Sequence, residues 1–310
     1  MEENNKPRLN RLPIIDSDES IGRFPKWLHR PLPKGGQIFK TENILSKYGL
    51  NTVCEEAKCP NRFECYTKKT ATFLAMGNTC TRACGFCEID FSKNPKSLDP
   101  NEPLNIALSV KELGLKHVVI TMVARDDLPD GGALHLKNIL IKIKELNPES
   151  TTEILTSDFQ GNLEALRSVL EEKPIVFNHN VETVRSLSHK VRHVATYDRS
   201  LEVLQFAKNT NLVKFVKSGI MLGLGETQEE VKATLVDLKN IGCDIVTIGH
   251  YLQPSLKKLS VKQFITPDEF NFYKEFGEGI GIKYVYSGPF IRSSYNADLL
   301  TDLVLQGAET

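Results

Sequence analysis

Six of the seven cysteines lie between Cys54 and Cys87, in two groups spaced Cys54-x4-Cys59-x5-Cys65 and Cys80-x3-Cys84-x2-Cys87. Thiolates are soft ligands that select zinc, copper(I) or iron–sulfur clusters over hard cations, so the fold has to close these trios around a metal or around each other. A structural zinc ion takes four protein ligands. Each group supplies three, and no histidine stands between Cys54 and Cys87 to complete a set. A cubane iron–sulfur cluster normally takes four thiolates, so a trio leaves one iron open, and an open metal position is where chemistry happens. Disulfides are the weakest reading, because no signal-peptide pattern precedes this stretch and thiols stay reduced in the cytosol. Spacing alone favours iron–sulfur ligation and leaves zinc open.

The second trio, Cys80-Thr81-Arg82-Ala83-Cys84-Gly85-Phe86-Cys87, carries an aromatic residue just before its last cysteine. It resembles the CxxxCxxC signature of the radical S-adenosylmethionine (SAM) enzymes. The resemblance implies a 4Fe–4S cluster on Cys80, Cys84 and Cys87, with Phe86 beside the cofactor and SAM chelated to the fourth iron. It also implies reductive cleavage of SAM to methionine and a 5′-deoxyadenosyl radical that takes hydrogen from unactivated carbon. The first trio lies in Val53-Cys54-Glu55-Glu56-Ala57-Lys58-Cys59-Pro60-Asn61, and Arg292-Ser293-Ser294-Tyr295 stands near the other end of the chain. Taken together these segments are similar to the lipoyl synthase family, over about Leu28 to Asp298. The family pattern implies an auxiliary 4Fe–4S cluster on Cys54, Cys59 and Cys65, completed by a serine, with Ser294 the expected ligand and Ser293 the alternative. A serine oxygen holds iron less firmly than a thiolate, which suits a cluster consumed as sulfur donor.

With 310 residues, 40% of them apolar and 25% charged, the chain has the composition of a globular protein large enough for one α/β barrel or two ordinary domains. Lys+Arg and Asp+Glu balance at 39 each, so there is no global pull toward nucleic acid. No apolar run approaches the roughly 20 residues of a membrane span, and the expected location is the cytoplasm.

Residues 1–40 contain Pro7, Pro13, Pro25, Pro31 and Pro33 and little periodicity; they read as an arm that is disordered or extended, with Trp27 as a packing anchor. From Thr41 the pattern becomes regular. Helices are expected over 41–48, 101–113, 134–146, 163–170, 201–208 (capped by Ser200), 227–240 and from Pro267 onward. Strands are expected over 71–76, 117–124, 153–156, 175–178, 216–222, 245–248 and 284–286. Strand–helix alternation of this kind implies a parallel sheet covered by helices. The resemblance narrows that to a partial (β/α)6 barrel, with a cysteine-bearing extension over 1–69, a core over 70–288 and a C-terminal segment over 289–310 that closes over the site. In such barrels the site sits at the C-terminal ends of the strands.

Further candidates follow the strands. Gly131 and Gly132, after Asp130, match the family's glycine pair that contacts the SAM amino group through backbone. Asn180 and Glu182, after His179, are expected at the ribose or methionine end of SAM. His179 itself reads as a strand residue, since no metal-ligand spacing includes it. Gly219 to Glu226 resembles the superfamily's loop beside adenine, whereas a lone glycine-rich loop is weak evidence of nucleotide binding. No role emerges for Arg125-Asp126-Asp127 or His250, and Cys243 reads as a small buried hydrophobe.

The family resemblance implies a sulfurtransferase that inserts two sulfur atoms at carbons 6 and 8 of a protein-bound octanoyl-lysine. Two 4Fe–4S clusters and SAM are the expected cofactors. The expected partners are octanoylated lipoyl-carrier domains of 2-oxoacid dehydrogenase complexes, the glycine-cleavage carrier protein and an external electron donor, with neither nucleic acid nor membrane. The rival readings are another sulfur-inserting radical SAM enzyme, which would lack the Arg-Ser-Ser-Tyr tail, and a non-enzymatic iron–sulfur or zinc protein.

Overall fold

The computed structural model describes residues 24–29, 37–295 and 297; most of the proline-rich arm and the end of the C-terminal segment lie outside them. Helix α1 (Gln37–Lys47), strand β1 (Asn51–Thr52) and two short helices, α2 (Val53–Glu56) and α3 (Arg62–Thr67), form the extension. Then come β2 (Thr72–Ala75), the small pair β3 (Thr79–Cys80) and β4 (Asp90–Phe91), α4 (Glu102–Leu113), β5 (His117–Met122), α5 (Ala133–Leu146), β6 (Thr151–Leu155) and α6 (Leu163–Leu170). The chain continues through β7 (Val176–Asn178), α7 (Ser188–Val191), α8 (Tyr197–Thr210), β8 (Phe215–Leu222), α9 (Gln228–Asn240), β9 (Ile245–His250), α10 (Pro267–Gly279) and β10 (Tyr284–Gly288).

The main sheet runs β1-β2-β5-β6-β7-β8-β9-β10. Every neighbouring pair from β2 to β10 is parallel, and only β1 is antiparallel, pairing Asn51 with Leu74. Successive strands are each linked by a helix, which gives six β/α units and a closing strand. Leu74, Thr121, Leu155, Gly219 and Thr247, from five different strands, line one cavity. A flat sheet covered on both faces could not bring them together, so the sheet is curled into a partial barrel, with β1 and β10 at its two edges among the described residues.

Local chemistry accounts for the helix boundaries. Thr227 and Thr266 each accept from the backbone N–H three residues on, and Glu230 and Glu269 return the bond, so α9 and α10 both begin with capping boxes. Such a cap is worth about 1 kcal/mol. The expectation for α8 is corrected: it starts four residues earlier, capped by Thr196 rather than Ser200. The Ser200 hydroxyl is buried and engaged with His179 and the Thr196 carbonyl, so it is not available as a cap. Trp27 is not an anchor either. It sits in a single 3-10 turn with no buried residue and is 38% exposed, while Phe24 makes the ring contact, with Phe264.

Candidate active site

The second trio sits where β2 hands over to the helical layer. Cys80 ends β3, whose pairing with β4 turns the intervening segment into a closed loop carrying Cys84 and Cys87. The loop is pinned from both sides: Gly85 N–H donates to the Val191 carbonyl, and Leu259 N–H donates to the Gly85 carbonyl, both at 2.9 Å. Cys80 Sγ accepts from the backbone N–H groups of Ala124 (3.3 Å) and Arg82 (3.4 Å). Arg82, inside the motif, is 5% exposed at its side chain and forks onto Asp126 at 2.7 and 2.8 Å while reaching Asp158 at 2.6 Å. Burial opposes its charge, but the two carboxylates outweigh that and hold it above its ordinary pKa. The loop is therefore tied to the ends of two further strands through one guanidinium, which explains Asp126, a residue without a role in the sequence reading.

The first trio is built on short helices. Cys54 lies on α2, whose cap Thr52 accepts from Glu55 N–H, Cys59 lies in the following turn, and Cys65 lies on α3. Helices of four and six residues hold their shape through tertiary contacts rather than propensity. Here Tyr66 supplies them: fully buried, it bonds Thr52 Oγ1 through its hydroxyl (2.8 Å), and its carbonyl accepts from Thr41 Oγ1 of α1 (3.0 Å).

The C-terminal segment lies over this trio. Asn61 Nδ2 donates to the Phe290 carbonyl (2.8 Å), and the Tyr295 hydroxyl donates to Glu64 (2.9 Å). Gly249 makes the approach possible, because a Cβ there would stand 2.1 Å from the Ile291 carbonyl oxygen. Ser294 and Arg292 line a small cavity of about 40 Å³ together with Cys54, Cys59 and Cys65. Ser293 points elsewhere, donating to Asn180 Oδ1 at 2.9 Å.

A larger cavity of about 500 Å³ joins the two regions, within the size range of small-molecule sites. Cys59 from the first trio, all three cysteines of the second, Phe86, Asn180, Glu182 and Ser294 reach it. Leu74, Val123, Leu155, Met221, Leu252 and Ile291 give it an apolar wall. Burial is the main cause that pushes the Cys54, Cys65 and Cys84 thiols up to about 12 and Cys87 to about 11. A thiolate at these places needs a cation beside it. Among the described residues no three His, Cys, Asp or Glu side chains are arranged to hold a metal ion. A cubane spreads its thiolates over separate irons, an arrangement that a trio of separated thiols can serve.

Glu182 is a non-glycine residue at φ 65°, and the backbone around it is held by Glu182 N–H to the Gly219 carbonyl and Met221 N–H to the Glu182 carbonyl. Its carboxyl is pushed up by burial and accepts from Asn180 Nδ2 at 3.0 Å. Strain of this kind persists where the surroundings over-determine it, often at ligand sites. The sequence reading missed Arg192, which is 4% exposed and lines the cavity. It donates to the Asn180 carbonyl (2.8 Å) and to Ser200 and Thr196, and its buried Nε has no partner among the described residues. No motif surrounds it; one arginine in a polar stretch carries no signal.

Gly131 and Gly132 are not brought to the cavity. Their N–H groups are taken by the Leu128 carbonyl and Asp130 Oδ1. A Cβ on Gly132, at φ 89°, would stand 2.4 Å from Met76 Sδ. The pair shapes the start of α5 and its packing on the end of β2. His179 has both ring nitrogens bonded, to the Thr156 carbonyl and Ser200, and burial lowers its pKa to about 4, so it is a neutral packing residue. His250 is likewise buried, bonded to the Tyr251 carbonyl and the Ile265 N–H. Cys243 is 3% exposed and packs in the core.

Residues 74–238 match the model of the radical SAM superfamily. The lipoyl synthase of Protochlamydia amoebophila is 58% identical over 306 residues, which covers 96% of this chain and 95% of that protein. The lipoyl synthase of Chlamydia felis is 54% identical, covering 90% and 89%. Among solved structures, Streptococcus suis SuiB bound to S-adenosylmethionine superposes with a TM-score of 0.56 at 15% identity, over 69% of this chain and 48% of that one. The hydrogenase maturase HydG of Carboxydothermus hydrogenoformans gives 0.52 at 15%, over 76% and 66%. These two share the fold, and the chain spans about half the length of SuiB. The chain belongs to the lipoyl synthase family of the radical SAM superfamily.

Proposed function

We propose that the two trios hold two 4Fe–4S clusters with separate tasks, facing one substrate cavity. Membership of the family makes the chain a sulfurtransferase that uses SAM and iron–sulfur chemistry; the assignment of residues to tasks is the proposal. When bound, the cluster on Cys80, Cys84 and Cys87 supplies the electron that cleaves SAM, and the one on Cys54, Cys59 and Cys65 supplies sulfide.

The protein's own residues supply binding and placement. Asn180 and Glu182 are suited to the hydroxyl and amino groups of SAM, and Phe86 to its apolar surface. Arg192 lines the cavity with its side chain largely buried, and its positive charge is suited to the carboxylate. Ser294 completes the first trio in preference to Ser293, because Ser294 shares a small cavity with Cys54, Cys59 and Cys65 while the Ser293 hydroxyl is spent on Asn180. The apolar wall accommodates an eight-carbon acyl chain. The hydrogen abstraction needs no general base.

A single observation carries the reading: thiols from both trios reach the same cavity. The proposed acceptor is an octanoyl-lysine on lipoyl-carrier domains of 2-oxoacid dehydrogenase complexes or the glycine-cleavage carrier protein, with electrons from an external donor. The test is an octanoyl-lysyl peptide with SAM and dithionite under anaerobic conditions. Sulfur at carbons 6 and 8 with release of 5′-deoxyadenosine is the expected result, and SAM cleavage without any thiolated peptide would overturn it. The proposed setting is the cytoplasm; among the described residues no helix is long and apolar enough to cross a membrane.

A further inference from the structure

The residues that flank the two trios meet across the cavity. Lys58 immediately precedes Cys59, and Glu88 immediately follows Cys87. Lys58 Nζ donates to Glu88 Oε1 at 2.5 Å, and the Ser255 hydroxyl, from the segment between β9 and α10, donates to Glu88 Oε2 at 2.8 Å. Both Lys58 and Glu88 line the 500 Å³ cavity that the thiols share. The turn that presents Lys58 is fixed in turn: Lys58 sits at φ 50°, its N–H donates to the Glu55 carbonyl, and the Cys59 N–H donates to the Cys54 carbonyl.

We propose that the Lys58–Glu88–Ser255 clamp sets the separation between the radical-generating loop and the sulfur-donating loop, and so couples hydrogen abstraction to sulfur insertion. The inference rests on the assignment of tasks under Proposed function. Lys58 and Glu88 are positioning residues: they touch no reacting atom and act through Cys59 and Cys87, to which they are adjacent. Lys58 is 56% exposed at its side chain, and an ion pair with so exposed a member adds little to stability. A merely structural role therefore predicts almost no change when the charge is removed. A positional role predicts a specific one, because a carbon-centred radical held about 1 Å from its productive place can lose roughly a hundredfold in rate and is then quenched unproductively.

The experiment measures 5′-deoxyadenosine released per sulfur inserted, on anaerobically reconstituted full-length protein with octanoyl-lysyl peptide, SAM and dithionite. Lys58→Met and Glu88→Gln are each expected to raise that ratio about tenfold, one order short of the cost of a full 1 Å misplacement. Total SAM cleavage should stay within about twofold and iron content should match the unmodified protein, since neither variant removes a thiol. The double variant should be no worse than either single one, as expected for partners in one contact, and Lys58→Arg should restore the ratio. An unchanged ratio in both single variants, or a parallel fall of deoxyadenosine and product, would overturn the clamp. If the unmodified protein inserts no sulfur at all, the assignment of tasks falls instead, so the two failures are told apart by which protein shows them.

Discussion

The two cysteine trios are held by opposite means. The second is a loop strapped to the sheet: backbone N–H groups reach Cys80 Sγ, and Arg82 ties the loop to Asp126 and Asp158 at the ends of neighbouring strands. The first sits on two short helices outside the sheet and is capped by a segment some 230 residues further along the chain, through Asn61 to Phe290 and Tyr295 to Glu64. One trio is anchored in the barrel, and the other is closed by a strap from the C-terminal segment. A cluster that must return unchanged after each turnover suits the first arrangement. A cluster that is taken apart suits the second, because its cap comes from a segment beyond the last strand, joined to the trio's helices by two side-chain bonds.

The contrast can be broken most sharply at the cysteines. Cys84→Ala should abolish SAM cleavage, a loss of at least about a thousandfold by the usual scale of catalytic knockouts, while the first trio still takes up iron; retained deoxyadenosine production would refute the division. Cys59→Ala should leave abortive SAM cleavage and no lipoyl product, and mass spectrometry of the peptide would reveal any sulfur that contradicts this. The strap is tested at its serine pair. Ser294→Ala should lower sulfur insertion about tenfold to a hundredfold, the range typical of lost support around a metal site, and Ser293→Ala should cost clearly less; the reverse order would transfer the role to Ser293. Smallest in expected effect, Tyr295→Phe removes the bond to Glu64 and should cut insertion a few-fold with SAM cleavage unchanged. Arg82→Lys loses the planar fork and should do the opposite, lowering SAM cleavage about tenfold while iron uptake by the first trio is untouched. Parallel losses in both variants would mean that the two regions are not independent.

Much of this was legible in the sequence, for physical reasons that can be named. The barrel strands are buried apolar runs and the helices are bounded by threonine caps and glycine stops, so α6 matched its expected span and α9 and α10 began at their expected threonine caps. The cysteines announced themselves by spacing. The short helices α2 and α3 did not, because four and six residues are too few to show a period and their stability comes from Tyr66 and α1. Ser200 was mistaken for a cap because its local pattern fits one, and only the folded chain reveals that His179 occupies its hydroxyl. Gly131 and Gly132 show a second thing local pattern hides: Met76 and Phe159 pack so close beside them that a side chain at either position would clash. Arg192 and the Lys58–Glu88 bond are relations between distant segments, to which local pattern is blind.

The most direct test of two clusters with divided labour is the iron, sulfide and zinc content of anaerobically purified protein, compared with a Cys54/Cys59/Cys65→Ala variant. The account predicts about eight irons per chain with matching sulfide in the unmodified protein and about four in the variant, as one cubane per trio requires, with deoxyadenosine still formed by the variant. Zinc in place of iron, or an unchanged iron content after the first trio is removed, would contradict it.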